Sequence, residues 1–307
     1  MAKLGSNNTK IKPSVSKISM FFSAICMGNV GLILSFLSGY PIHTLVLLRG
    51  IFGNLFLTIT MIFIKSFSRE FLKESFRFLW KPLIISGMVY PLVIFFYFMC
   101  ITISGYAIAA FLLYTNGLFL LILLFLTKEE KVSKINVFSV FLALIGVSII
   151  MEFWDNSLFS PGIISGLLSG LTLSIHIFYR KKIYNKRDRL NNKLQAKGNF
   201  DIFLSWWSTL LLILAFLPFG ATDLLKLSLN DILFCVLLGF IPTALAFTLY
   251  NVGIKNDKGG NIVMLLYFEP VMAMVNTAIF LQNLSIFTII GGILILLANV
   301  IVLNYSK

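Results

Sequence analysis

The sequence predicts an all-α membrane protein of ten transmembrane helices, arranged as two inverted five-helix repeats. Three observations predict it. Of 307 residues, 58% are hydrophobic and 12% are charged, about half the charged share of an ordinary soluble domain. The apolar residues fall in blocks of about 17 to 23, the length that crosses a hydrocarbon core of roughly 30 Å at 1.5 Å rise per residue. All of the 25 Lys and Arg except Arg49 and Lys226 fall where one face of such a bundle would lie.

In order, the blocks are Ile18 to Leu37, Thr44 to Ile64, Leu83 to Ser104, Tyr106 to Leu126, Ile135 to Met151, Gly162 to Tyr179, Ile202 to Phe219, Ile232 to Ile254, Asn261 to Leu281 and Ile286 to Asn304. A cytoplasmic tail, residues 1–17, brings Lys3, Lys10, Lys12 and Lys17 ahead of the first block, as a signal peptide would. No clear small-residue cleavage site follows, so the block reads as a retained first span. Its Ser23, Ala24, Gly28 and Gly31 allow close helix approach in lipid, where hydrophobicity gives no net drive for association. The second span carries Arg49 near its outer end. Snorkelling to the outer headgroups is the plain reading of that residue, and pairing with a substrate carboxylate or with Glu269 is the sharper one.

Lys65, Arg69, Lys73, Arg77 and Lys81 make a basic connection to the third span, where Pro91 predicts a bend. Ser104-Gly105 turns the chain tightly into the fourth span. After Lys128, Lys131 and Lys134, the fifth span completes the first repeat, residues 18–151. The second repeat, residues 152–307, opens with Gly162, Gly166 and Gly170 on one helix face, which reads as packing. A basic cytoplasmic loop, residues 180–200, follows; attraction to anionic lipid explains it without nucleic acid. Trp206 and Trp207 read as interfacial anchors of the seventh span, and Pro242 and Pro270 as bends in the eighth and ninth. Cys26, Cys100 and Cys235 lie within spans, show no metal-ligand spacing and read as small apolar fillers.

Five spans per copy is odd, so the second copy must enter the membrane inverted. The loop charges agree. The connection between spans 2 and 3 is basic, while its counterpart between spans 7 and 8 has Lys226 as its one base. The connection between spans 1 and 2 has none, yet its counterpart after span 6 is the most basic of all. Opposite bias in matching loops marks inverted-topology repeats, and the positive-inside rule puts both termini in the cytoplasm.

One stretch, Tyr267-Phe268-Glu269-Pro270, sets a carboxylate deep in an apolar span beside a proline. Its depth is roughly 14 Å, about nine residues from the inner end. A charge there is costly in lipid, so it should face a protein-lined cavity, and the proline frees a backbone carbonyl. The matching stretch 153 positions earlier is Tyr114-Thr115-Asn116-Gly117. Leu112-Leu113-Tyr114 parallels Leu265-Leu266-Tyr267, and Phe96-Tyr97-Phe98 parallels Leu249-Tyr250-Asn251. Glu269 could carry a proton or meet a cationic substrate; its alternative is a fixed structural role at the Pro270 break. Tyr97, Tyr114, Tyr250, Tyr267 and Asn116 are candidate cavity lining. For Asn29, Asn251 and His176 an internal interhelical hydrogen bond competes with a pore-lining role.

These residues resemble the EamA-type members of the drug/metabolite transporter superfamily. The resemblance rests on Ala110 to Gly117, the acidic turn Lys128-Glu129-Glu130-Lys131-Val132-Ser133 and Ala143 to Val147. The second copy offers Leu265 to Val271, Gln282-Asn283-Leu284-Ser285 and Gly291-Gly292-Ile293. Gly117 stands where a proline is usual, and Gln282 where a glutamate is. The resemblance implies ten helices around a central cavity that moves small organic metabolites by alternating access.

The expected function is therefore secondary transport of an amino-acid-like or other polar or amphipathic compound. Spans 1, 3, 4, 6, 8 and 9 would line the path. No Gly-rich nucleotide loop is present, so a gradient or exchange must drive it. An intramembrane enzyme would need paired acids or a His-Glu metal motif, a channel would need pore loops, and a scaffold would need no polar residue at mid-span. No cofactor, metal or nucleic acid is expected. Lipid and a small substrate are the expected partners, a homodimer is compatible, and the plasma (inner) membrane is the expected location.

Overall fold

The computed structural model describes residues 12–66, 68–127, 134–150, 152, 160–190, 198–254, 263–281 and 284–305. Lys3, Lys10, the acidic turn 128–133, the end of the basic loop at Lys193 and Lys197, Lys255, Lys258, Gln282-Asn283 and Lys307 lie outside them. The described residues are helical throughout their ordered elements. Seven segments are long and apolar enough to cross a membrane: Ser14–Ser35, Ile42–Phe63, Arg69–Ser104, Tyr106–Leu126, Pro161–Arg187, Phe200–Lys226 and Leu229–Gly253. Three shorter apolar helices, Val137–Ile150, Leu265–Leu281 and Ile286–Ile301, fall where the fifth, ninth and tenth spans are expected.

The first expected span is two helices, α1 (Pro13–Met27) and α2 (Val30–Ser35), parted at Gly28-Asn29. A Cβ on Gly28 would stand 2.5 Å from Met272 Cβ and 3.0 Å from the Glu269 carbonyl, so only glycine lets this break close on the ninth span. The freed groups find side chains: Asn276 Nδ2 donates to Gly28 O at 2.7 Å, and Asn29 Nδ2 to Ile25 O at 2.6 Å.

Next come α3 (Ile42–Phe63) and α4 (Arg69–Ser104), a helix of 36 residues. The basic connection expected before span 3 is instead mostly the first turns of α4. Ser68 caps it by accepting from Phe71 N at 3.2 Å. Phe71, Ser75, Leu79 and Leu83 are buried at four-residue spacing while Lys73, Arg77 and Lys81 stay exposed, an amphipathic pattern that continues the helix past the apolar block. Pro91 and Pro82 both sit inside this uninterrupted helix.

Gly105, at φ 94°, takes the left-handed turn into α5 (Tyr106–Leu113), which gives way at Tyr114-Thr115 to α6 (Asn116–Leu126). The helix α7 (Lys134–Ile150) is followed by α8 (Pro161–Arg189), which carries the basic run well past Tyr179. Then come α9 (Phe200–Gly220), a tight helical turn at Ala221–Lys226, and α10 (Leu229–Gly239), started by a reciprocal Ser228–Asp231 cap. Pro242 lies in a wide helical stretch, Phe240–Leu245, before α11 (Ala246–Ile254). A tight turn at Val263–Tyr267 leads into α12 (Phe268–Asn276), and α13 (Ile286–Tyr305) ends the chain.

The helices pack in pairs: α3 on α9, α4 on α8, α1 on α11, α5 on α12 and α7 on α13. Small residues set the close approaches. A Cβ on Gly162, Gly166 or Gly170 would meet Ser104, Leu112 and Thr115 respectively within 2.6 Å, so this glycine face is a packing face. Gly146 and Gly291 each lie against the other's carbonyl; an added Cβ would come within 2.6 Å and 2.4 Å of it. Trp206 and Trp207, expected as interfacial anchors, tie helices together: their Nε1 groups donate to Thr58 Oγ1 and Leu83 O, both at 2.9 Å. Large apolar side chains such as Phe63, Phe125, Phe138 and Phe219 point outward, as they do in a protein whose solvent is lipid.

Candidate functional site

The first turn of α12 carries Glu269, which is buried against α5 and does not reach the lipid-facing surface. Pro270 has no N–H, so the Leu266 carbonyl loses its helical donor. Tyr114, from the break between α5 and α6, supplies the substitute. Its hydroxyl lies 2.8 Å from Leu266 O and 2.9 Å from Glu269 Oε2. Tyr267 stacks edge-on against Tyr114 at 5.5 Å between ring centroids. Asn299 of α13 donates to Tyr114 O at 3.0 Å, and its Oδ1 sits where a Cβ on Gly117 would stand. The first copy thus breaks at this level without a proline, through Asn299 and a glycine that makes room for it.

Arg49 does not snorkel. It is 6% exposed, with Nε 3.2 Å from Thr243 Oγ1, Nη2 3.4 Å from Pro242 O and the guanidinium 5.5 Å above the Phe98 ring. Thr243 Oγ1 in turn donates to Leu238 O at 3.1 Å, the carbonyl that Pro242 leaves without its N–H donor. Each of these two proline breaks thus has a hydroxyl within hydrogen-bond reach of its freed carbonyl: Tyr114 at Pro270 and Thr243 at Pro242. Arg49 and Glu269 interact electrostatically without forming an ion pair, and Tyr97 and Tyr106 lie in the same field.

The remaining candidates divide. His176 Nδ1 lies 2.9 Å from Ser86 O, which as a donor contact fixes the ring between α8 and α4. Asn116 Nδ2 donates back to Leu113 O at 3.0 Å and does not meet Glu269. Asn251 is buried with both amide atoms unpartnered, as is the Tyr97 hydroxyl. Tyr250 is half-buried on α11, apart from the Tyr114 contact. Asn276, Asn299, Thr243 and Asp223 were not singled out by the sequence. Asn276 falls seven residues after Glu269, two helical turns along the same face, which was its one available signal.

The two ends of the bundle differ. At the end poor in basic residues, Tyr40 donates to Asp231 Oδ2 at 2.7 Å and Thr44 Oγ1 to Asp223 Oδ2 at 2.7 Å. Lys226 Nζ meets Asp223 Oδ1 at 2.7 Å, and Phe36 stacks on Phe234 at 4.5 Å. The Asp231 carboxylate, accepting the Tyr40 hydroxyl proton, pushes that phenol up to about 12. His43 Nε2 stands 3.9 Å from Asp223 Oδ2. At the basic end a cavity of about 550 Å³ opens between Ile64, Lys65, Ser66, Arg187 and residues 198–201. It is not the central cavity expected from the sequence: Arg49 and Glu269 are buried and neither lines it.

Seven apolar membrane-length segments and a buried acid held inside the bundle define an integral multi-pass membrane protein. Residues 160–304 match the model of the EamA-like transporter family. A protein of Clostridium kluyveri described as an uncharacterized transporter is 23% identical over 216 residues, covering 67% of this chain and 66% of that relative. A solved crystal structure superposes with a TM-score of 0.58 at 16% identity, over 93% of this chain and 96% of that one; the likeness is one of fold.

Proposed function

We propose that the protein is a ten-helix secondary transporter, built from two inverted five-helix units, that moves a small organic metabolite by alternating access. The packing supports the duplication. In span numbers the pairs are 2 with 7, 4 with 9, 5 with 10, and 1 with 8 beside 6 with 3. Exchanging the two units maps the first three pairs onto themselves and the last two onto each other, as a two-fold axis requires.

The observation that carries the reading is the Tyr114–Glu269 contact, in which the two units meet through an acid at broken helices. Broken spans at one depth are where transporters of this kind hold cargo and coupling ions. The basic-poor end is closed by Tyr40–Asp231 and Thr44–Asp223, which supports a state shut at that end. Under the positive-inside rule that state faces the cytoplasm, with both termini inside.

The test is counterflow in proteoliposomes. Vesicles preloaded with amino acids, nucleotide derivatives or cationic amines are diluted into trace labelled compound, with and without a pH gradient. Saturable, counter-substrate-dependent uptake is expected, and non-saturable flux would favour a channel. No flux across the panel, in a protein still required by its cell, would favour a scaffold.

A further inference from the structure

Arg49 Nη1 is buried without a hydrogen-bond partner. A guanidinium does not shed its charge, so leaving a donor nitrogen dry and unpaired is costly. The groups that Arg49 does meet are a hydroxyl, a carbonyl and the Phe98 ring, none of which is a counter-charge. Two further donors are idle in its field. Tyr97 and Tyr106 are 3% and 1% exposed; their hydroxyls lie near each other, that of Tyr106 also beside the Gly31 backbone, and neither completes a well-formed hydrogen bond. Glu269 does not answer the charge by contact, because its carboxylate is held by Tyr114.

We propose that Arg49, Tyr97 and Tyr106 form an oxyanion subsite that takes a carboxylate of the cargo. The guanidinium fork suits a carboxylate's two oxygens, and the two phenols supply neutral donors beside it. Thr243 and Phe98 hold the guanidinium in place, and Glu269 in the same field suits a cargo that also carries an amine. The cargo class is thus a small carboxylate, anionic or zwitterionic. This inference rests on the transporter reading for its meaning, but the subsite can be tested by binding alone.

The purified full chain in detergent is melted with phenylacetate or phenylacetamide, and with alanine or phenylalanine beside their C-terminal amides. The acids are expected to raise Tm saturably and the matched amides are not. Tyr97→Phe and Tyr106→Phe keep the ring packing and should each weaken the acid's effect by ~10-fold, the loss of one hydrogen bond to a charged group. Arg49→Gln should abolish it; should that variant fail to fold, the two Phe variants decide. Equal shifts from acids and amides, unchanged affinity in both Phe variants, or no shift with any acid up to about 10 mM overturns the subsite. Counterflow separates the two readings: amides exchanged as fast as acids remove the subsite and leave the transporter, while acids bound without counterflow do the reverse.

Discussion

The hydroxyl of Tyr114 stands 2.9 Å from a carboxylate oxygen of Glu269 across 155 positions of chain, and 2.8 Å from the Leu266 carbonyl. A phenol has one proton to give and two acceptors here. Either Glu269 carries a proton and donates to Tyr114, or an ionised Glu269 claims the Tyr114 proton and the Leu266 carbonyl goes without. Protonation of the acid and closure of the Pro270 break are therefore one event.

Tyr114→Phe should destabilise the protein by about 1–3 kcal/mol, the cost of leaving buried acceptors unmet. Pro270→Ala restores an N–H that can reach Leu266 O. The double variant should then lose less than the sum of the singles, by about 1 kcal/mol. Thermal or denaturant unfolding in one detergent measures all four corners, and strict additivity would separate Tyr114 from the break.

Glu269→Gln keeps shape and hydrogen-bonding capacity while fixing the neutral charge. The protein should stay folded, with flux abolished or made independent of a proton gradient, because a buried carboxylate is the group that can exchange a proton there. Proteoliposome uptake with and without a pH gradient reads this. Unchanged uptake with unchanged pH dependence would remove Glu269 from the mechanism.

Tyr40→Phe removes the bond to Asp231 at the basic-poor end. Loss of about 0.5–1.5 kcal/mol should shift the population towards opening there by several-fold. Cys235 is fully buried on α10 four residues beyond Asp231 and serves as a native reporter. With Cys26 and Cys100 replaced by Ser, a membrane-impermeant maleimide should label Cys235 faster in the variant, from the side opposite the termini.

Gly291→Ala places a Cβ 2.4 Å from the Gly146 carbonyl oxygen, where backbone must move. The expected cost is about 1–3 kcal/mol. At Gly39 a Cβ meets nothing within 4 Å, so Gly39→Ala should be neutral or mildly stabilising. Melting temperatures of the two variants, side by side, check the contrast.

The spans were legible because length and apolarity are local properties of the chain, and the Glu269–Tyr114 level was legible because an acid inside an apolar block has few tolerable positions. The direction in which Arg49 points was not. Lipid and protein core are both apolar, so the hydrophobic period gives no orientation, and burial of Arg49 depends on Thr243 nearly two hundred residues away. Nor was the break at Gly28-Asn29 or at Tyr114-Thr115 visible. Both are made by partners on other spans, Asn276 and Asn299, whose polarity compensates carbonyls they do not adjoin in sequence. The helical extension of α4 hid behind its lysines, although Phe71, Ser75 and Leu79 already marked its inner stripe.

At Gly146 and Gly291 two main chains touch with no side chain between them, and a ratcheting slip of either helix would drive a carbonyl into the other's backbone. Spans 5 and 10 are consequently a rivet: they can swivel about this point but cannot glide past one another. Rearrangement of the rest has to be accommodated around that fixed joint, which makes it the natural reference frame for measuring how far every other helix travels.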